Sequence, residues 1–240
     1  MKKFTAFTLA ETLVVIGIIG VVSALTLPNL NSSTGDKEKV AQVKKIYQNL
    51  NDAYGRAVAK YGVFPSWTLN DSTDTAKATR IGQRLTEFMK VNKTCGTQES
   101  QGCFTTGKPK TLTGSEYNLE LDKGTDAYKI ISADGTSLRI TKLGEIYVDI
   151  DGPSKGSNVW GKDIFLFKVD LNNPGNGIVP GGSDVGFSTL LSYLASGNAP
   201  HYATAWIVNY HNAEYLKLNS SGQCTNNTSL VPTEQNPRCK

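Results

Sequence analysis

A long apolar run lies at the N-terminus, from Phe7 to Leu27, and its only charged residue is Glu11. The run contains 21 residues, and at about 1.5 Å per residue a helix of that length just spans the ~30 Å hydrocarbon core of a bilayer. Lys2 and Lys3 precede it, which predicts a cytoplasmic N-terminal tail with the bulk of the chain outside. The polar stretch after Pro28 is turn-prone, so we expect the helix to break there.

A second helical pattern, which is amphipathic, runs from about Asp36 to Lys60. Its apolar side chains recur at steps of three and four residues: Val40, Val43, Tyr47, Leu50, Tyr54 and Val58. Such a stripe predicts a helix that packs by one face on a globular head. A coiled coil is the alternative, although the repeat lasts barely three heptads. A shorter helix is expected from Ala76 to Val91.

The pattern changes to that of β-structure after Cys95. Residues 127–151 alternate in polarity and carry turn signals at Asp134-Gly135 and Leu143-Gly144, which predicts two or three antiparallel strands. Another strand is expected within Asp163–Leu171, and a surface loop at Pro174–Gly182. Ala203–Leu218 fits a strand or a short helix equally well. The fold class is therefore α+β, with a long N-terminal helix, hydrophobic and then amphipathic, packed on an antiparallel sheet.

Composition and charge narrow the function. The chain has 240 residues and a net charge of +4, without a basic tract, which argues against nucleic-acid binding as its main role. The four cysteines form two close pairs, Cys95 with Cys103 and Cys224 with Cys239, and neither pair has the spacing of a zinc or redox site. Behind an export-type N-terminus, these pairs favour two local disulfides. The alternative is four thiols in a reducing compartment.

The N-terminal sequence AFTLAETLVVIGIIGVVSALTLPNL resembles that of type IV pilins and type II secretion pseudopilins. The resemblance implies a leader at residues 1–6, cleavage between Ala6 and Phe7 by a prepilin peptidase that also methylates the new amine, and a filament-core or transmembrane helix at 7–30. Residues 31–240 would form an extracytoplasmic head. Pro28 matches a proline that kinks the helix in many members. Ala6 departs from the family, which usually has glycine there.

Glu11 is then interpreted as an assembly residue. Its carboxylate lies four positions after the new amine of Phe7 and can compensate that charge in a low-dielectric environment, within its own helix or a neighbouring one. The competing interpretation is a secretory signal peptide, for which Val22-Ser23-Ala24 would be the cleavage site. That interpretation leaves Glu11 unexplained, since an acidic group inside a membrane is unfavourable.

A glycine-rich loop between predicted strands is the candidate metal site. It carries the oxygen ligands Asp149, Asp151, Ser154, Asn158 and Asp163. Calcium accepts six to eight oxygen ligands from such loops, and major pseudopilins often bind calcium in a loop of the head. The spacing is not that of an EF-hand. The alternative is a turn in which these side chains cap their own backbone.

No catalytic motif stands out, and we expect a structural protein rather than an enzyme. The resemblance implies a subunit that polymerises into a type IV pilus or a type II secretion pseudopilus, from the inner membrane to the periplasm or cell surface. Its partners would be other pilin-like subunits and the prepilin peptidase. The competing functions are a secreted or membrane-anchored hydrolase and a pilus-borne surface binding module.

Overall fold

The computed structural model describes residues 9–239, except for the side chains of 23–34. The chain divides into two compact units, with the boundary between Glu38 and Lys39. The boundary between helix and head that the sequence predicts, after residue 30, stays a prediction.

Helix α1 runs from Leu9 to Tyr61 without interruption. The predicted break after Pro28 is wrong, since α1 continues through this residue. The fixed φ of proline is compatible with a helix, although a proline donates no N–H to the hydrogen-bond ladder and its ring crowds the preceding turn. The helix ends near the predicted point: Gly62 has a φ of 82°, and its N–H donates to the Val58 carbonyl at 2.9 Å. Gly62 can adopt this left-handed conformation because it lacks a Cβ.

Among the residues that the structure describes, the second unit adds three further helices and four short 3-10 helices, at Phe64–Thr68, Pro174–Asn176, Pro200–Tyr202 and Glu214–Lys217. Helix α2 covers Asp74–Thr86, α3 covers Phe187–Ser196 and α4 covers Ala203–Tyr210. The predicted helix at 76–91 was too long, because Val91 pairs with Ser132 and opens the first strand. The sequence of residues 203–218 fits a strand or a short helix equally well. In the structure this segment forms α4 and the last 3-10 helix.

Six strands form one antiparallel sheet in which sequence order and spatial order coincide. They are β1 Val91–Gly96, β2 Ala127–Ser132, β3 Ser137–Thr141, β4 Glu145–Asp149, β5 Ile164–Val169 and β6 Ile178–Pro180. The predicted strands within 127–151 and 163–171 are confirmed. The prediction of a surface loop at 174–182 is wrong for its second half. Ile178 is buried there and pairs with Val169, which adds an edge strand to the sheet.

One face of the sheet carries the main core. The Lys39–Tyr61 part of α1 packs its predicted stripe there, with Val43 and Leu50 fully buried and Tyr47 and Val58 partly buried. Alternate strand residues meet this stripe: Tyr128, Ile130, Leu138, Ile140, Ile146, Val148, Phe165 and Phe167. The α+β architecture with an antiparallel sheet is therefore confirmed.

The opposite face is covered by the segment between β1 and β2, whose Phe104 and Leu121 form a smaller core with Trp160 from the loop between β4 and β5. Beneath it, Lys129 and Arg139 are cross-strand neighbours, and both are buried. The Lys129 ammonium donates to the Asp122 and Gly124 carbonyls at 3.2 and 2.9 Å. Burial lowers its pKa, as does the neighbouring charge of Arg139. The covering segment is thus fixed to the sheet by polar as well as apolar contacts.

Candidate functional site

The described N-terminal part of α1 exposes apolar side chains on every side. All fourteen residues from 9 to 22 are exposed. Nine of them are large and hydrophobic: Leu9, Leu13, Val14, Val15, Ile16, Ile18, Ile19, Val21 and Val22. A helix that is apolar all round normally requires an apolar environment. Within this unit, the candidate site is this surface and the glutamate it contains.

Glu11 is the only charged residue among residues 9–22, and its side chain is exposed. The hydroxyl of Thr12 beside it donates to the Leu9 carbonyl at 3.3 Å, so this polar group is satisfied within the helix. The predicted cleavage site, Ala6 and Phe7, lies outside the described residues, as does the side chain of Pro28, to which a kink was assigned.

Membrane crossing was also predicted for this region. In the part of the chain that the structure describes, no helix combines the length and the hydropathy that a bilayer-spanning segment needs.

The oxygen-rich loop after β4 lies in the second unit and begins with Asp149. This residue is completely buried, and its Oδ1 accepts hydrogen bonds from the N–H groups of Asp151 and Gly152, both at 3.2 Å. Among the described atoms its Oδ2 has no hydrogen-bond partner. Burial, helped by the charges of Asp151 and Asp163, raises the pKa of Asp149 to about 7.

Asp163 closes the same loop. Its Oδ1 is 2.9 Å from the ammonium of Lys39, and its Oδ2 accepts from the Ser157 N–H at 3.0 Å and hydroxyl at 2.6 Å. Burial raises the pKa of Asp163, but the hydrogen bonds from Ser157 and Lys39 outweigh burial and lower it overall. Burial and the nearby charge of Asp163 raise the pKa of Asp151.

These contacts do not support the predicted calcium site. Ser154 is exposed, and Asn158 is half-buried with a left-handed φ of 49°. Asp163 is already neutralised by Lys39, and Asp149 binds its own loop. Across the described residues, no three His, Cys, Asp or Glu side chains are grouped so that they could hold a metal ion. The arrangement corresponds to the alternative, a turn capped by its own side chains.

Both predicted disulfides are confirmed. Cys95 on β1 is bonded to Cys103, and Cys224 is bonded to Cys239. At the end of the loop that the first bond closes, the N–H groups of Gly102, Cys103 and the following Phe104 all donate to the carboxylate of Asp122, at 2.9–3.3 Å. The second ties down the C-terminal tail. The role of Asp122 is not predictable from the sequence, because nothing near this residue in the chain indicates which N–H groups will contact it.

Comparisons with protein-family models, with curated proteins and with solved structures found no match to this chain.

Proposed function

We propose that this protein is a structural, pilin-like subunit that assembles through its N-terminal helix into a type IV pilus or a type II secretion pseudopilus. The observation that carries the proposal is the surface of residues 9–22, which is apolar all round and contains a single carboxylate. The N-terminal sequence pattern, from the basic leader to the glutamate, supports the same function.

Assembly gives this surface an apolar environment. Burying one large aliphatic side chain contributes about 1.5–3 kcal/mol, and nine such side chains are exposed between Leu9 and Val22. Before assembly, the lipid of the inner membrane would cover them. In the filament, the helices of neighbouring subunits would take the place of the lipid. Gly17 and Gly20 face open space and would let neighbouring helices approach closely.

Glu11 supplies the specificity that apolar burial lacks. Cleavage between Ala6 and Phe7 by a prepilin peptidase would create a positive α-amine at Phe7. In a low-dielectric core this amine is strongly stabilised by a carboxylate and strongly unfavourable without one. Pairing with Glu11 would therefore fix the axial position of one subunit relative to the next.

The α+β unit would then be the extracytoplasmic head. Its two disulfides fit an oxidising compartment such as the periplasm or the cell surface. The head would be the part that the assembled filament presents to its surroundings.

The experiment is to compare sheared-filament and membrane fractions for the unmodified protein, Glu11→Gln and Glu38→Gln. Glu38 is an exposed glutamate of the same helix outside the apolar surface, so it controls for the chemical change. We expect Glu11→Gln to be cleaved and to accumulate in the membrane, and Glu38→Gln to assemble normally. Equal filament yield from all three would refute the role of Glu11.

Mass spectrometry of the membrane-extracted protein tests the processing step separately. We expect a mature chain that starts at Phe7 with a methylated amine. A mature chain that starts at Leu25 would identify a signal peptide and refute the filament proposal.

A further inference from the structure

A cavity of about 390 Å³ opens between α1, the linker from α2 to β1, and the turn between β2 and β3. This volume lies within the range of about 300–1,000 Å³ that is typical of small-molecule sites. Its apolar lining comes from buried Ile46 and Leu138 and from the half-buried side chains of Phe88 and Met89. Methionine adapts its shape to irregular apolar ligands.

The walls of the cavity are fixed by backbone hydrogen bonds. The Ala133 N–H donates to the Lys90 carbonyl at 2.8 Å, which joins the α2–β1 linker to the β2–β3 turn. Within that turn, the N–H of Ser132 donates to the Thr136 carbonyl at 2.9 Å. The cavity is therefore already formed without a ligand and requires little ordering when one binds.

One of the lysines that line the cavity has no acidic partner among the described residues. Its lining includes two lysines and two aspartates: Lys45, Lys90, Asp52 and Asp134. The Lys45 ammonium is 2.9 Å from Asp134, and Asp52 is 3.2 Å from Arg56, which lies outside the lining. In the described part of the chain, no acidic side chain forms an ion pair with Lys90, which is exposed at the mouth.

Lys45 can also turn toward a ligand. Its ion pair with Asp134 is largely exposed, with 60% and 38% of the two side chains accessible, and such pairs contribute little to stability. Asp134 keeps other partners when Lys45 moves, because the Ser132 hydroxyl donates to it at 2.5 Å. Lys45 can therefore join Lys90 at one anionic group, while Asp134 stays hydrogen-bonded to Ser132 and Asp52 stays paired with Arg56.

We propose that this cavity binds an amphipathic anion, with its apolar body on Ile46, Met89 and Leu138 and its carboxylate, or an equivalent anionic group, at Lys90. The two sources of such a group are a fatty acid and a peptide that ends in a free carboxylate. The site belongs to the second unit and is independent of the filament proposal, since it uses no residue of the apolar surface at 9–22.

Photolabelling of the full chain in lipid nanodiscs with 4-benzoylbenzoate tests this site. The probe is itself an amphipathic anion, and its excited carbonyl abstracts hydrogen preferentially from methionine side chains. We expect saturable labelling of Met89. Peptide mapping locates the labelled residue and so distinguishes labelling of the cavity from labelling of the N-terminal helix. If octanoate competes with the probe, the cavity is a fatty-acid site. If acetyl-leucyl-phenylalanine competes with the probe, the cavity is a site for the free carboxylate of a peptide.

Two variants probe the charge and the space separately. Lys90→Gln should lower the labelling of Met89 by about tenfold at subsaturating probe, as the loss of a charge-assisted hydrogen bond does. Ala133→Trp should fill the mouth and abolish labelling without changing a charge. The control is Lys162→Gln, an exposed lysine outside the cavity, which should label normally. Circular dichroism checks that each variant is folded.

Absence of saturable labelling at Met89 would overturn the proposal. So would unchanged labelling in Lys90→Gln or in Ala133→Trp, or competition by neither carboxylate.

Discussion

Lys39 and Asp163 are 124 positions apart in the chain, yet the Lys39 ammonium lies 2.9 Å from the Asp163 carboxylate. The carboxylate is almost completely buried, with 2% of the Asp163 side chain exposed, whereas 32% of the Lys39 side chain is exposed. The ion pair fastens the first turn of α1 in the second unit to the loop that precedes β5.

Replacing Lys39 by Met should destabilise the head by about 1.5–3 kcal/mol, because the buried Asp163 carboxylate would lose a charge-assisted hydrogen bond. Urea unfolding of the full chain in nanodiscs, followed by tryptophan fluorescence, measures this. All three tryptophans lie in the second unit and are buried, so the signal reports on the head. Arg56→Met is the matched control: it breaks an exposed pair with Asp52 that should contribute only about 0.3–0.5 kcal/mol. Equal losses would contradict the argument.

Asp149 should make the head less stable as the pH rises from about 4 to 7. Burial raises the pKa of Asp149 to about 7 in the folded state, so between its unfolded and folded pKa values the native state binds more protons than the unfolded state. This contribution to the stability of the head is fully present below the unfolded pKa and is lost as the pH rises through the folded pKa, by an amount on the order of 4 kcal/mol.

Asp149→Asn should remove this pH dependence, since Asn keeps the shape of the side chain but does not titrate. Urea unfolding at several pH values between 4 and 8 gives the comparison with the unmodified protein. Asp184→Asn, at an exposed aspartate of the same unit, should leave the profile unchanged. A profile of Asp149→Asn parallel to that of the unmodified protein would show that Asp149 is ionised throughout.

Removing either disulfide should destabilise the head by an amount set mainly by the loop it closes. The bonds span 8 residues at Cys95–Cys103 and 15 at Cys224–Cys239, for which chain entropy gives about 2.5 and 3 kcal/mol. Double Cys→Ser variants, one for each bond, are compared by urea unfolding.

Loss of the Cys95–Cys103 bond should also free the segment that covers Lys129, so hydrogen exchange in that segment should rise more than in the rest of the head. Uniform exchange would contradict that localised role.

Gly82 is required for the close packing of α2 on β2. A Cβ at this position would lie 2.3 Å from the Cβ and Cγ of Tyr128, so Gly82→Ala must push the helix from the sheet and should cost about 1–3 kcal/mol. Gly55→Ala is the matched control on α1, where a Cβ would meet nothing within 4 Å. It should stabilise the helix by up to about 1 kcal/mol. Melting temperatures that shift in the same direction would refute the packing argument.

The parts of the fold that could be predicted from the sequence are those whose signals are local. The stripe from Val40 to Val58 needs only helical periodicity, and the β2–β3–β4 hairpins are marked by Asp134-Gly135 and Leu143-Gly144. The cysteine pairings were predictable because each partner is close in the chain. These signals do not depend on where the rest of the molecule lies.

The remaining features depend on distant partners. Strand β6 has three residues and ends at Pro180, so only its pairing with β5 makes it a strand. An oxygen-rich loop has the same composition whether it binds a metal or its own backbone, and the position of Lys39 beside Asp163 favours the second outcome. The cavity at Lys90 combines three segments that are far apart in the sequence, and none of them carries a local signal for it.

The coincidence of spatial and sequence order in the sheet has a consequence for how the head is made. Each strand pairs with the strand synthesised just before it, so no strand has to wait for a later one to arrive. The sheet can grow one strand at a time as the chain emerges, and the short connections of β2–β3 and β3–β4 should let these pairs form first. At every stage its only open edges are β1 and the newest strand, which limits the unpaired backbone through which unfinished chains could associate.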